Sequence, residues 1–303
     1  MNHSLKGLIA LACASFATTP VLAHAVAGNR LFPVTLATDD PGVADELSLP
    51  TVSTMRSSDD PSVRETDYSF EYAKTITEKL GISVNGTWVD VNDPTSERVR
   101  GFDNFGVTLK YNFLTDAPHE LILSAGLEAE IGRTGSKRIA DSYSNFTPTF
   151  YFGKGMGDLP DSMSLLKPLA VTGVVGYSIP SSSYRTDETG SPDYHARVLS
   201  YGGAIEYSLS YLKANVHDYN LPDFVNRLTP LVEFAIDKPT ANTEEATTGT
   251  INPGLLYSGD TYQVGVEAML PINRSSGQGV GMIVQLHFFL DDIFPNTLGK
   301  PIF

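Results

Sequence analysis

Twelve ionisable or amide side chains stand inside otherwise apolar segments and are the first candidates for chemistry: Glu71, Asn85, Lys110, Asn112, Glu128, Glu130, Glu206, Glu233, Asp237, Glu267, Gln285 and His287. Each falls on the small or polar side of a run whose alternate residues are greasy. Carboxylates in such excess around a narrow aqueous path would concentrate cations and discourage anions. The same acids could instead pair with Lys110 and loop arginines, filling the interior so that nothing passes.

Other chemistries find little support. Ester hydrolysis needs a serine activated by a histidine that a third group orients. His119, His195, His217 and His287 each have serines nearby in sequence, but no Gly-x-Ser-x-Gly elbow occurs, so no catalytic residues are expected. Glycine-rich phosphate loops, zinc-type His/Cys spacing and nucleotide fingerprints are missing too, and no cofactor is implied. Asp39-Asp40-Pro41 and Asp59-Asp60-Pro61 lack the spaced oxygen ligands of a calcium loop and read as turns, not metal sites. A formal charge of -14, from 35 acidic and 21 basic residues, argues against a nucleic-acid partner. The single cysteine, Cys13, excludes a disulfide framework.

The elements that must position these side chains have a period of two. Phe105, Val107, Leu109, Tyr111 and Phe113 alternate with Gly106, Thr108, Lys110 and Asn112. Val264, Val266, Ala268 and Leu270 interleave with Gly265, Glu267 and Met269. Each such run is a strand with one apolar face. Twelve are expected, at 46–56, 66–77, 81–91, 102–114, 119–132, 145–156, 167–179, 197–211, 227–238, 249–257, 260–272 and 279–291. Pro50 interrupts the first and requires a bulge or a position without a ladder donor. Most runs are near the ~10 residues of an oblique membrane-crossing strand. Long polar loops such as PSSSYRTDETGSPDYHA alternate with compact turns such as TDAPH, the asymmetry of a barrel whose termini lie in the periplasm, although two connections of the short set, 157–166 and 212–226, are longer than that rule predicts. A ring of twelve is too wide for small inward side chains to fill, so its interior must be wet or plugged. The fold expected is therefore all-β: a closed, antiparallel, up-and-down transmembrane β-barrel.

The first 25 residues, with Lys6, a short apolar run and Ala23-His24-Ala25, have the form of a cleaved secretory signal peptide. Residues 26–45 are expected as a periplasmic segment, a loose tail in preference to an inward plug. Residues 46–291 form the barrel, and 292–303 a periplasmic tail tucked against the rim. Tyr68, Phe70, Trp88, Phe146, Phe152, Tyr177, Tyr207 and Tyr211 fall near strand ends, where aromatic side chains meet the lipid headgroups. The expected partners are outer-membrane lipid, the assembly machinery that reads C-terminal aromatics, and a small solute. Uniformly apolar outward faces suggest a monomer. A surface-binding barrel that uses its long loops is the rival.

The stretches ATDDPGVADELSLPT, EYAKTITEKLGISV and LHFFLDDIFPNTLGKPIF extend a pattern over residues 39–303 that resembles a Gram-negative outer-membrane family named for the meta-pathway of phenol degradation. That resemblance implies an outer-membrane transporter linked to uptake of aromatic or other hydrophobic compounds. It implies no catalytic residues.

Overall fold

A computed structural model describes residues 25–186, 192–241 and 245–303; the proposed signal peptide lies outside these residues apart from Ala25. Twelve strands wind through the chain: β1 (Glu46–Arg56), β2 (Arg64–Thr77), β3 (Leu80–Asn92), β4 (Phe105–Asp116), β5 (Leu121–Ile131), β6 (Asn145–Gly155), β7 (Leu169–Pro180), β8 (Arg197–Tyr207), β9 (Leu228–Ala241), β10 (Thr248–Ser258), β11 (Tyr262–Pro271) and β12 (Gln278–Phe289). Val99–Phe102 continues β4 upward across a two-residue break and pairs with the upper half of β3. Each strand pairs antiparallel with its neighbours in sequence, and β12 returns to β1 with Val284 opposite Val52. The sheet is closed.

Boundaries differ from the expected ones mainly at the lower rim. The eighth strand stops at Tyr207, because Ser208 caps a helical turn by accepting from the Tyr211 N–H. Pro50 sits where the register slips between Ser48 and Thr51, the bulge that a residue without a ladder donor requires.

The distribution of side chains settles which face meets which solvent. Leu109, Tyr111, Leu127, Ile205, Val266 and Met282 stand exposed around the outside, while Ser124, Glu206, Glu233, Asn252, Gln263, Glu267 and His287 are buried within. A water-soluble barrel would invert that pattern. Hydrocarbon is the solvent that suits an apolar exterior, and closure leaves no backbone edge to satisfy within it.

Residues 25–45 correct the expectation of a loose tail. Two short ribbons, Val26–Ala27 and Arg30–Leu31, start the segment at the rim that carries the short turns. The chain then rises into the lumen, turns at residues 36–39 and descends to β1. Along this path it bonds to side chains of β4, β5, β9 and β11, which neighbour one another only in part around the ring. One short segment can reach so many walls only from inside. Phe32 joins Ile122 and Ala170 in one apolar cluster, and Leu36 joins Leu231, Leu256 and Ile283 in another. Burying two such side chains favours insertion by roughly 1.5–3 kcal/mol each, which a solvated tail would forgo. At the other end of the chain, the Ile302 and Phe303 N–H groups bond to Thr75 O and Ile76 O, laying the last residues against the foot of β2.

Candidate solute pathway and luminal barrier

At its apex the inserted segment rests on Glu233. This carboxylate accepts from three successive backbone N–H groups, those of Leu36 (2.7 Å), Ala37 (2.8 Å) and Thr38 (3.1 Å). Consecutive amides aimed at one anion form a nest, and bonds to a charged acceptor are among the stronger kind. On the descending limb Asp39 pairs with Lys110 at 2.7 Å, and the Lys110 ammonium also donates to Asp40 O at 3.0 Å. Burial pushes the Asp40 carboxyl up to about 6, against the opposing pull of Lys110.

Both roots of the segment are fixed. Arg30, 1% exposed, donates to Pro168 O and Lys167 O, ion-pairs with Glu120 at 3.3 Å and covers the Tyr211 ring at 3.9 Å. Tyr211 donates to Glu120 at 2.7 Å; burial, and then this bond, raise its phenol to about 12. Tyr211 therefore belongs to an internal anchor and not to the lipid interface expected of it. Arg30 and Glu120 were absent from the expected set, because a basic residue in a presumed tail gives no sign of its partner 90 positions away. The second root is Asp45, which accepts from the Thr75 N–H, the Thr75 hydroxyl and Lys74.

The inner wall carries the complementary signal. A side-chain carbon added at Gly81 would lie 2.9 Å from Val43, at Gly153 3.0 Å from both Phe32 and Pro41, and at Gly202 2.5 Å from Thr38; at Gly265 it would overlap Leu36. These inward glycines make room for the segment. In the sequence alone, small residues on an inner face suit a wet lumen equally well.

Above the apex the lumen is open. One cavity of about 530 Å³ is floored by residues 34–39 and walled by Thr51, Asp67, Glu71, Asn85, Glu128 and Gln285. A second, of about 440 Å³, shares that floor and reaches Tyr151, Ser200 and Asp237. A third, of about 760 Å³, continues to the mouth at Asp59, Glu245 and Arg274. The two lower cavities are lined by Asp39, Asp67, Glu71, Glu128 and Asp237, with no lysine or arginine.

The twelve expected site residues thus divide. Glu71, Asn85, Glu128, Asp237 and Gln285 line the open cavities. Asn85 donates to Glu128 at 3.4 Å, and Asp237 accepts from Ser200 at 2.6 Å. Glu130 accepts from Asn104 at 3.2 Å, nearer the mouth. Glu206, Glu233 and Glu267 are 1% exposed or less, and Asn112 is buried while accepting from Thr115, so their expected place on a wetted path is corrected. The inserted segment covers the wall where the three glutamates stand, and Glu267 lies beside Glu233 and Asn252.

Lys110 and His287 border a smaller, adjoining cavity of about 50 Å³ together with Ser48 and Glu46. Ser48 Oγ lies 2.9 Å from His287 Nδ1, and His287 Nε2 lies 3.7 Å from Glu46. These are the residue types of acyl transfer. However, Ser48 and His287 are buried, and the space beside them holds a water or two, not an ester. The other histidines have different company: His119 pairs with Asp116, His195 stacks on Tyr143, and His217 meets the Tyr219 ring edge-on. Among the described residues no group of His, Cys, Asp and Glu is arranged to hold a metal.

No family model matches the chain, and no curated protein does so. Among solved structures, an outer-membrane channel from Pseudomonas putida F1 is similar over 86% of this chain and 99% of its own, with 12% identity and a TM-score of 0.53. The fold is that of an outer-membrane β-barrel. The KdgM porin (80% of this chain and 98% of its own, 13% identity, TM-score 0.48) and the NanC porin (79% and 98%, 11%, 0.48) are also similar to this outer-membrane barrel. At such identities the likeness is one of architecture.

Proposed function

We propose that this barrel is an outer-membrane channel for small hydrophilic solutes, neutral or cationic, whose passage is controlled by residues 32–45. The observation that carries this reading is the acidic vestibule above the apex. It has five carboxylates along its two lower cavities, of which Asp39 is paired with Lys110 behind it, no basic residue in the lining itself, and a remaining wall of mainly hydroxyls and amides. A low-dielectric tube lined by one sign of charge raises the local concentration of the opposite ion. Uptake of aromatic or other hydrophobic compounds, which the sequence resemblance implies, draws less support from a wall of this polarity. A closed, surface-binding barrel is the second reading. It is favoured by the fixing of the inserted segment at both roots, Arg30 and Asp45.

The test is a Thr38→Cys, Gly202→Cys pair in planar bilayers under a salt gradient. A Cβ at 202 falls 2.5 Å from Thr38 Cγ2, within reach of the ~3.5–4.5 Å Cβ separation of a disulfide. The one native cysteine, Cys13, falls in the expected signal peptide. Conductance should be low when the pair is oxidised, rise on reduction, and show cation preference. Anion preference, or no channels in either state, rejects the channel reading in favour of the closed barrel.

A further inference from the structure

The lower rim has two turns that are longer than a barrel needs. One joins β6 to β7 through a helical turn at Asp161–Leu166; the other joins β8 to β9 through Leu209–Tyr211, Leu212–Val216 and Asp223–Asn226. The two touch each other along the same side of the ring. Their apolar residues do not all turn inward. Phe224 is 63% exposed and Leu165 is 55% exposed, with Met163, Leu166 and Tyr219 also in the open.

Their position gives the reason. Phe224 stacks on Tyr257 with centroids 5.2 Å apart, and Tyr257 neighbours Tyr262 at 6.1 Å. Tyr257 and Tyr262 alternate with the inward Leu256 and Gln263, so they stand on the outer, lipid-facing surface of β10 and β11. Tyr207, which alternates with the inward Glu206, donates from the outer face of β8 to Leu165 O at 3.0 Å. Both turns are therefore joined to the apolar outer wall and prolong it downward. Their charged side chains pair among themselves, Lys167 with Asp161 at 2.7 Å and Lys213 with Asp223 at 3.4 Å. Aromatic residues beside paired charges suit the headgroup boundary, where a ring has one apolar and one wet side.

We infer that these two turns form an interfacial shelf, seated in the inner-leaflet headgroup region, with Leu165 and Phe224 in contact with bilayer lipid. The occupant is phospholipid, because the patch is continuous with a surface that already faces lipid. This inference does not depend on whether the barrel conducts.

Nitroxide labels on Leu165→Cys and Phe224→Cys, each in the full-length protein reconstituted in phosphatidylethanolamine/phosphatidylglycerol vesicles, test it. Leu109→Cys serves as the lipid-facing reference and Glu97→Cys, in the exposed loop after β3, as the aqueous one. At 165 and 224 the ratio of oxygen to nickel-chelate accessibility should be several-fold above that at 97 and approach that at 109. Values equal to those at 97 would place the turns in water and overturn the shelf. Dipolar coupling between labels of neighbouring copies would assign the patch to self-association and overturn it equally. Two independent label positions keep the result readable if one variant assembles poorly.

Discussion

Glu233 shows how one carboxylate can hold a segment that has no regular structure. Three successive N–H groups at the apex converge on this one side chain. Bonds to a charged group contribute about 1.5–3 kcal/mol each, and these three act together. Glu233→Ala should therefore raise hydrogen exchange at Leu36, Ala37 and Thr38 more than tenfold in a barrel that still shows heat-modifiable migration. Unchanged protection would mean that packing of Phe32 and Leu36 alone holds the apex. Arg30 invites a second substitution. Replacing it with alanine leaves Glu120 buried without its cation, a loss of about 3–5 kcal/mol for pairs of this kind. Lysine should recover little of it, because a single ammonium cannot span the carbonyls of residues 167–169 as a guanidinium does. Urea titration of the folded barrel, comparing Arg30→Ala with Arg30→Lys, measures both.

At the scale of elements, the wall and the inserted segment are fitted to each other through the inward glycines. Gly265→Val places branched carbons where Leu36 sits. It should expose the apex to protease while leaving the barrel folded; an intact segment would show that Leu36 can shift without leaving the lumen. The C-terminal tail offers a pH test. Burial, reinforced by Asp292, pushes the Asp291 carboxyl from 3.8 up to about 7. Between those values the docked tail binds more protons than the free one, so docking is strongest near and below pH 4 and weakens as pH rises to 7. Exchange protection of the Ile302 and Phe303 amides should fall across that range, and Asp291→Asn should flatten the profile.

For the molecule as a whole, stability depends on having the right solvent on each side. Leu109, 47% exposed, faces lipid near the middle of β4, with Lys110 inward beside it. Leu109→Lys should cost about 2–4 kcal/mol if it lies near the bilayer midplane, read as a shift in urea refolding into vesicles. Thr108→Ser, one residue away on the inner face, should change it little. Comparable effects at the two sites would contradict the assignment of faces.

Period-two alternation, the strand count, the closed antiparallel order and the polarity of each strand face could be read from the sequence, because they depend on neighbours two residues apart and on an even number of crossings. Even the bulge at Pro50 follows from its missing donor. The contents of the lumen could not be read in this way. Ser, Thr, Gly and Glu on an inner wall look the same whether they line water or receive a folded segment, and residues 26–45 have no period to mark them as inserted. The contacts that decide the matter, Leu36 with Glu233, Arg30 with Glu120 and Asp39 with Lys110, join positions 197, 90 and 71 residues apart. Only closure of the ring brings those partners together, so the tertiary structure alone determines which carboxylates face solute and which serve as latches.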